Sequence, residues 1–112
     1  MLMGPFTAFT DLAAQIEIPR DGTLSRTLYR DDRVRVVAFG FDAGQELTEH
    51  TAAAAAIIQV MSGRFRVTLG GEMLDLLPTA WVHMAPGLPH SVVAIERSVM
   101  LLTMLQDCPD AT

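Results

Sequence analysis

The sequence predicts an all-β domain, either a sandwich or a barrel built from many short strands. Apolar and polar residues alternate over residues 64–69, so that Phe65, Val67 and Leu69 share one face. Gly70-Gly71 follows directly. Two glycines suit the two-residue loop of a hairpin, because both positions tolerate positive φ. Short runs of this kind, separated by glycine, proline or aspartate, recur along the chain and are typical of sandwiches and barrels.

The remaining strands are assigned by the same signals. The predicted strands are residues 27–30, 33–39, 57–61, 64–69, 72–77, 81–84, 91–95 and 98–105. The alternation slips at Val36-Val37, which predicts a bulge in that strand. Residues 6–19 are compatible either with a single helical turn around residues 11–14 or with an edge strand.

The five consecutive alanines at 52–56 give a conflicting signal. Alanine is the best helix former, so the run taken alone favours a helix. The run is short, continues into β-branched Ile57-Ile58 and ends near the glycine at 63. Because an isolated helix of this length is marginal in water, a strand is the expected structure.

Size and charge narrow the range of functions. A chain of 112 residues predicts one domain, with an N-terminal arm over residues 1–22, a barrel over 23–105 and a short tail. The net charge is −5 with only eight Lys and Arg residues, which argues against a nucleic-acid partner. The longest apolar run is half a membrane span at most, so no membrane partner is expected.

Cysteine usage and the N-terminus favour a cytoplasmic protein. Cys108 is the single cysteine, so no internal disulfide can form, and a reducing compartment is the default expectation. The first residues carry no basic segment, and Pro5 interrupts them early. A secretory signal peptide is therefore not expected.

Two segments resemble the two conserved motifs of the cupin superfamily. In the first, Gly44 precedes His50 at the spacing typical of these proteins, and Gly63 closes the motif. The second is Met84-Ala85-Pro86-Gly87-Leu88-Pro89-His90, a Pro-Gly turn followed by a histidine. The resemblance implies a cupin-type double-stranded β-helix, which is a jelly-roll barrel. It also implies a small single-domain cupin.

The first motif is degenerate at the positions where cupins hold a metal. Ala52 stands where the family has its second histidine, and Ala56 stands where it has a glutamate. Ala94 replaces the asparagine of the second motif, and Thr79 replaces its opening glycine. The resemblance thus leaves His50 and His90 as the remaining ligand positions.

These substitutions weaken the expected metal site. The resemblance implies a divalent transition metal such as zinc, iron, manganese or nickel, bound by His50 and His90. Protein metal sites of this kind normally use three or four side chains, so two histidines predict a weakly held metal or none. Gln59 and His83 are secondary candidates for a further ligand.

The same substitutions predict a binding pocket. If His50 points inward, strand alternation sends Ala52, Ala54 and Ala56 inward too. Met61 and Met84 are expected beside them. An apolar wall with two imidazoles at one end suits a small, partly apolar molecule with one polar or anionic group.

Three functions remain open at this stage. The first is a small cupin that binds such a molecule. The second is a metal-dependent dioxygenase, isomerase or lyase with non-standard ligands. The third is a structural or regulatory interaction module. A homodimer is expected in each case, since half of the chain is hydrophobic, and its face is predicted at Phe39, Phe41, Leu102 and Leu105.

Overall fold

The computed structural model describes residues 4–106, and for His50 it describes the backbone alone. Within these residues the chain forms one 3₁₀ turn and nine strands. The elements in chain order are the 3₁₀ turn (Ala13–Gln15), β1 (Thr23–Arg30), β2 (Val34–Phe41), β3 (Glu46–His50), β4 (Ala55–Ser62), β5 (Phe65–Leu69), β6 (Glu72–Leu76), β7 (Trp81–Met84), β8 (His90–Ala94) and β9 (Ser98–Leu105).

The strands form two antiparallel sheets. One sheet has five strands in the order β1-β2-β9-β4-β7, and the other has four in the order β3-β8-β5-β6. Short connections carry the chain from one sheet to the other, so β2, β4 and β7 are each joined to a strand of the opposite layer. The all-β jelly roll expected from the sequence is confirmed.

The core lies between the two sheets. Phe41 of the five-stranded sheet meets Phe65 of the four-stranded sheet edge to face, with ring centroids 5.2 Å apart. The buried residues of this core are Phe41, Ala56, Ile58, Val60, Phe65, Val67, Leu76, Met84, Val92, Ala94 and Met100. Inward-facing side chains of both layers therefore interdigitate, as in other sandwiches.

One end of the sandwich is closed by a close contact between Gly63 and Ser98. The Ser98 hydroxyl accepts a hydrogen bond from the Arg64 amide at 2.9 Å and donates to the Glu96 carbonyl at 2.6 Å. Gly63 has φ +79°, and a Cβ there would overlap the Ser98 side chain. The turn into β5 therefore requires glycine for both its conformation and its lack of a side chain.

The N-terminal arm covers the outer face of the five-stranded sheet. Ile16 is buried in a second apolar cluster with Ala38, Val99 and Leu101. Gly40 lets the arm approach closely, because a Cβ there would overlap the Glu17 backbone. Of the two structures left open for the arm, the helical turn is the one observed, at Ala13–Gln15.

The predicted bulge occurs on the opposite strand. Thr27 pairs with Val37 and Tyr29 pairs with Val36, so the extra residue is Leu28 of β1. Strand β2 itself alternates regularly. Val36 and Val37 are both apolar because Val37 is buried on the inner side while Val36 packs against the outer cluster.

One residue of the predicted dimer face, Phe41, is fully buried in the core and cannot contribute to an interface. Phe39 and Leu102 pack against the internal core, and Phe41 belongs to it. Leu105 alone is exposed. In residues 4–106 no helix is long and apolar enough to cross a membrane. Cys108 lies outside the described residues.

Candidate functional site

At the end of the barrel away from Ser98, one row of paired residues crosses the five-stranded sheet. Met104 pairs with Ala56, and Ala56 pairs with Met84. Directly paired residues point to the same face of a sheet, and Ala56 and Met84 are core residues. The row therefore faces the interior and presents a methyl group between two thioethers.

The four-stranded sheet contributes His90 at the same end. His90 is the first residue of β8 and pairs with Leu69 on one side and with the backbone of His50 on the other. The side chains of β8 alternate between buried and partly buried, and His90 lies on the buried face with Val92 and Ala94. Sequence reasoning placed His50 and His90 close together, and the strand register pairs their backbones.

A hydrogen bond between the ring and a backbone carbonyl fixes the orientation of His90. His90 is 6% exposed, and its Nδ1 lies 2.9 Å from the Leu88 carbonyl oxygen. A carbonyl oxygen can only accept, so Nδ1 carries the proton in this contact. The lone pair of the neutral ring is then on Nε2.

The alanine run is not a continuous strand. Residues 52–54 form a bend between β3 and β4, and the strand begins at Ala55. A bulge between Leu47 and His50 also breaks the alternation before the run. The expected inward row of alternate alanines is therefore wrong. Ala56 faces the core, whereas Ala52 and Ala54 are partly buried in the crossing loop.

This crossing loop is tied to the loop that precedes His90. The Gly87 amide donates a hydrogen bond to the Ala52 carbonyl at 2.8 Å. Gly87 has φ +80°, which explains the glycine of the Pro-Gly turn. The two motif segments singled out in the sequence are thus in direct contact.

The interior is more accessible at this end than at the Ser98 end. Phe41, Phe65 and Val60 are fully buried near the closed end. By contrast Leu69, Leu102 and Met104 pack against the same core but are partly exposed. We refer to these partly exposed, inward-facing side chains as the recess at the His90 end.

Three predicted site residues lie elsewhere. Gln59 pairs with Trp81 and His83 with Ile57, on the opposite face of β4 and β7 from Ile58 and Met84. Their side chains therefore point away from the interior. Met61 packs against the outer cluster, because it follows the inward-facing Val60 and therefore lies on the opposite face of β4.

The residues at this end do not fit a tightly bound metal. The positions that supply the second histidine and the glutamate in the family pattern are Ala52 and Ala56, which have no donor atoms beyond the backbone. No group of three or more His, Cys, Asp or Glu side chains converges in the part of the chain that the structure describes. Two imidazoles fall short of the three ligands that a catalytic zinc or iron site uses.

One charged residue that faces inward was not among the predicted site residues. Arg35 pairs with Met104 and continues the row described above. The available signal was the alternation itself, because residues 35, 37, 39 and 41 share one face of β2. The bulge predicted at Val36-Val37 would have broken this alternation, so Arg35 was not assigned to the inner face.

A surface groove was also not predicted. It measures 390 Å³ and lies between the N-terminal arm and the outer face of the sheet. Its lining includes Phe6, Phe9, Tyr29, Leu101 and Thr103. Gln59 lines this groove, which places it on the far side of the sheet from His90.

Comparison with known proteins identifies the fold. No protein-family model matches the chain, and no curated protein matches its sequence significantly. A conserved Streptococcus pyogenes protein of unknown function is 28% identical, with a TM-score of 0.83 over 92% of this chain and 90% of its own. A cupin superfamily protein from Desulfitobacterium hafniense is 26% identical, with a TM-score of 0.82 over 86% and 88% of the two chains.

A more distant structure agrees with these two. An RmlC-like cupin from Desulfovibrio desulfuricans is 21% identical, with a TM-score of 0.78 over 89% of this chain and 96% of its own. The similarity covers 86–92% of this chain in the three comparisons. The chain therefore has the cupin fold, and the resemblance to the cupin superfamily that its two motifs indicate is confirmed.

Proposed function

We propose that this protein binds a small, partly apolar molecule in the recess at the His90 end of the barrel. The observation that carries the proposal is the pairing of a buried, oriented imidazole with a wall from which metal-binding side chains are absent. Such a site can hold an organic molecule by contact and hydrogen bonding. We assign it no reaction.

The apolar part of the ligand contacts the row on the five-stranded sheet. Ala56 has a methyl group where the family pattern has the bulkier glutamate, and it is buried with Met84, so a ligand reaches this row as the methionine side chains move aside. Methionine side chains adapt to irregular shapes and favour contact with aromatic rings. A flat apolar body is therefore the shape that this wall fits.

The polar group of the ligand meets His90. With Nδ1 donating to the Leu88 carbonyl, Nε2 is the acceptor of the neutral ring, and a ligand hydroxyl donates to it in competition with the contacts that His90 makes within the protein. A protonated ring instead donates from Nε2 to a carbonyl or carboxylate. The fixed ring reduces the entropy lost when the ligand binds.

A metal-dependent enzyme is the second candidate, and the donor set disfavours it. Metal analysis of untagged protein distinguishes the two. A content well below one metal ion per chain is expected for the ligand-binding protein. A content near one per chain supports the enzyme instead.

The binding test uses small aromatic acids and ketones followed by thermal shift and by NMR titration. His90→Ala is expected to weaken binding about tenfold, which corresponds to the loss of one hydrogen bond in a partly buried site. His83→Ala is the matched control, because the same side chain is removed from the outer face of the sheet. The proposal fails if none of the compounds binds, or if both variants weaken binding equally.

A further inference from the structure

Arg35 occupies an unusual position for an arginine. It lies in β2 in register with Met104, which places it in the same inward-facing row as Ala56 and Met84. Its neighbours on this face of β2 are Val37, which is buried, and Phe39, which packs against the core. A charged side chain therefore begins on the inner wall of the barrel, at the same end as His90.

The guanidinium of Arg35 has few partners in the protein. One terminal nitrogen donates to the Thr27 hydroxyl at 3.2 Å. Its Nε is buried and makes no hydrogen bond to the described residues. A guanidinium has five N–H donors in a planar fork, and withdrawing the Nε donor from water without an acceptor is costly.

No acidic side chain in residues 4–106 compensates the charge of Arg35. The ion pairs of this part of the chain involve Arg64 and Arg66 with Asp75, and Arg97 with Asp42. Arg64 also has a buried Nε without a hydrogen-bond partner, but Asp75 balances its charge. Arg35 is thus a partly buried cation without a counterion.

The neighbouring strand adds to the positive charge. Arg30 of β1 pairs directly with Arg35, so two arginines stand opposite each other across the strands. Like charges in this arrangement destabilise a sheet. The nearby Asp31 carboxylate is occupied by the Tyr29 hydroxyl and by the Arg33 and Val34 amides. A bound anion relieves both the repulsion and the desolvation.

From this geometry, and on the basis of the proposed function, we infer that the ligand is a small carboxylic acid and that Arg35 binds its carboxylate. The guanidinium fork matches the two carboxylate oxygens and forms paired, charge-assisted hydrogen bonds. The apolar body lies beside Met104, the partly exposed member of this row.

The spacing of the elements sets the size of this acid. Neighbouring strands lie about 4.8 Å apart, and facing sheets lie about 10 Å apart. Arg35 stands on one of two facing sheets, so a body that fits between the sheets beside it has roughly the dimensions of one ring. Benzoate is the simplest probe of this class, and benzamide is its neutral counterpart of the same shape.

The test compares these two probes by NMR titration of the full chain. Wild-type protein is expected to bind benzoate at least about tenfold more tightly than benzamide, because only benzoate forms the charge-assisted pair. Arg35→Met is expected to abolish this preference and to leave the affinity for benzamide unchanged. Arg33→Met is the matched control, because it makes the same change in net charge two residues away at an exposed turn position.

A second variant keeps the inference testable if Arg35→Met does not fold. Arg35→Lys retains the charge without the planar fork, and it is expected to reduce the preference for benzoate by about fivefold or more. The inference is overturned if wild-type protein does not prefer benzoate, or if Arg33→Met lowers the preference as much as Arg35→Met. Binding of both probes with equal affinity overturns the carboxylate assignment alone. Failure of benzoate, benzamide and every other acid and ketone to bind overturns the proposed function as well.

Discussion

At the scale of single residues, two backbone positions show how the chain follows and departs from the family pattern. Gly63 keeps the glycine of the first motif and has φ +79°. Thr79 replaces the glycine of the second motif but keeps a left-handed backbone with φ +76°. A β-branched residue in this region is strained. The fold thus tolerates the loss of one motif glycine at a cost in stability.

Thr79→Gly is expected to stabilise the protein. Relief of the left-handed strain favours the variant, while the greater freedom of glycine in the unfolded chain offsets part of the gain. The net increase in the free energy of unfolding is about 0.5–1 kcal/mol. Urea denaturation measures it. Thr68→Gly in strand β5 is the control and should destabilise, so a loss of stability at Thr79 contradicts the interpretation.

Gly63→Ala is expected to be far more damaging than Gly44→Ala. Both glycines have nearly the same backbone, with φ +79° and +82°, but a Cβ meets nothing within 4 Å at Gly44 and overlaps Ser98 at Gly63. We expect a loss of about 1–2 kcal/mol at Gly44 from conformation alone. The loss at Gly63 should be about 2–4 kcal/mol because overpacking is added. Equal losses in thermal unfolding would show that Ser98 yields to the new side chain.

At the scale of elements, the sequence predicted the strands well where one face is solvated and less well where both faces are covered. Strands β5 and β6 are identified by their alternation and by the Gly-Gly turn, in which both glycines have positive φ. The bulge was assigned to the wrong strand because the N-terminal arm covers the outer face of β2, so that both faces of this strand carry apolar residues. That arm lies far from β2 in the sequence, so local periodicity carried no sign of it.

Ion pairs on strands β5 and β6 make stability depend on pH. Hydrogen bonds from Arg64 first, and then from Arg66, hold the pKa of Asp75 below its ordinary value of 3.8. A carboxyl group with a lowered pKa stabilises the folded state above its unfolded pKa, and that contribution is lost as the pH falls through the folded value. Asp75→Asn is therefore expected to be less stable than wild type at neutral pH. The difference should narrow as the pH falls below 3.8.

Thermal unfolding across this pH range measures the effect. The pair is exposed, so the difference at neutral pH should also shrink in high salt. A difference that is constant with pH contradicts an electrostatic role for Asp75.

At the scale of the whole molecule, the sequence identified the fold and one end of the site. The two motifs predicted the jelly roll and the pairing of the segments around His50 and His90. The sequence did not show whether Ala52 and Ala54 lie in a strand or in the crossing loop, because a strand and a loop made of alanine have the same composition. Arg35 belongs to a different strand from either motif. Only the register across β2, β9 and β4 brings it into line with Ala56.

The homodimer remains a prediction, with its face to be sought among exposed residues. Trp81 is the only tryptophan in the sequence and is 58% exposed. Light scattering at micromolar concentration is expected to give twice the mass of the chain, and a clean monomer contradicts the prediction. Tryptophan emission then locates the face, since a blue shift on association indicates that Trp81 is buried in it.

The hydrogen bond from Gly87 to the Ala52 carbonyl has a kinetic consequence. On the proposed function, a molecule bound beside His90 can arrive and depart past the two loops that this bond joins, because packed aromatic rings fill the Ser98 end of the barrel. The lifetime of the complex would then depend on how often these loops separate as well as on the contacts that the molecule makes inside. Changes in the Pro-Gly turn would alter residence time while leaving the chemistry of recognition intact.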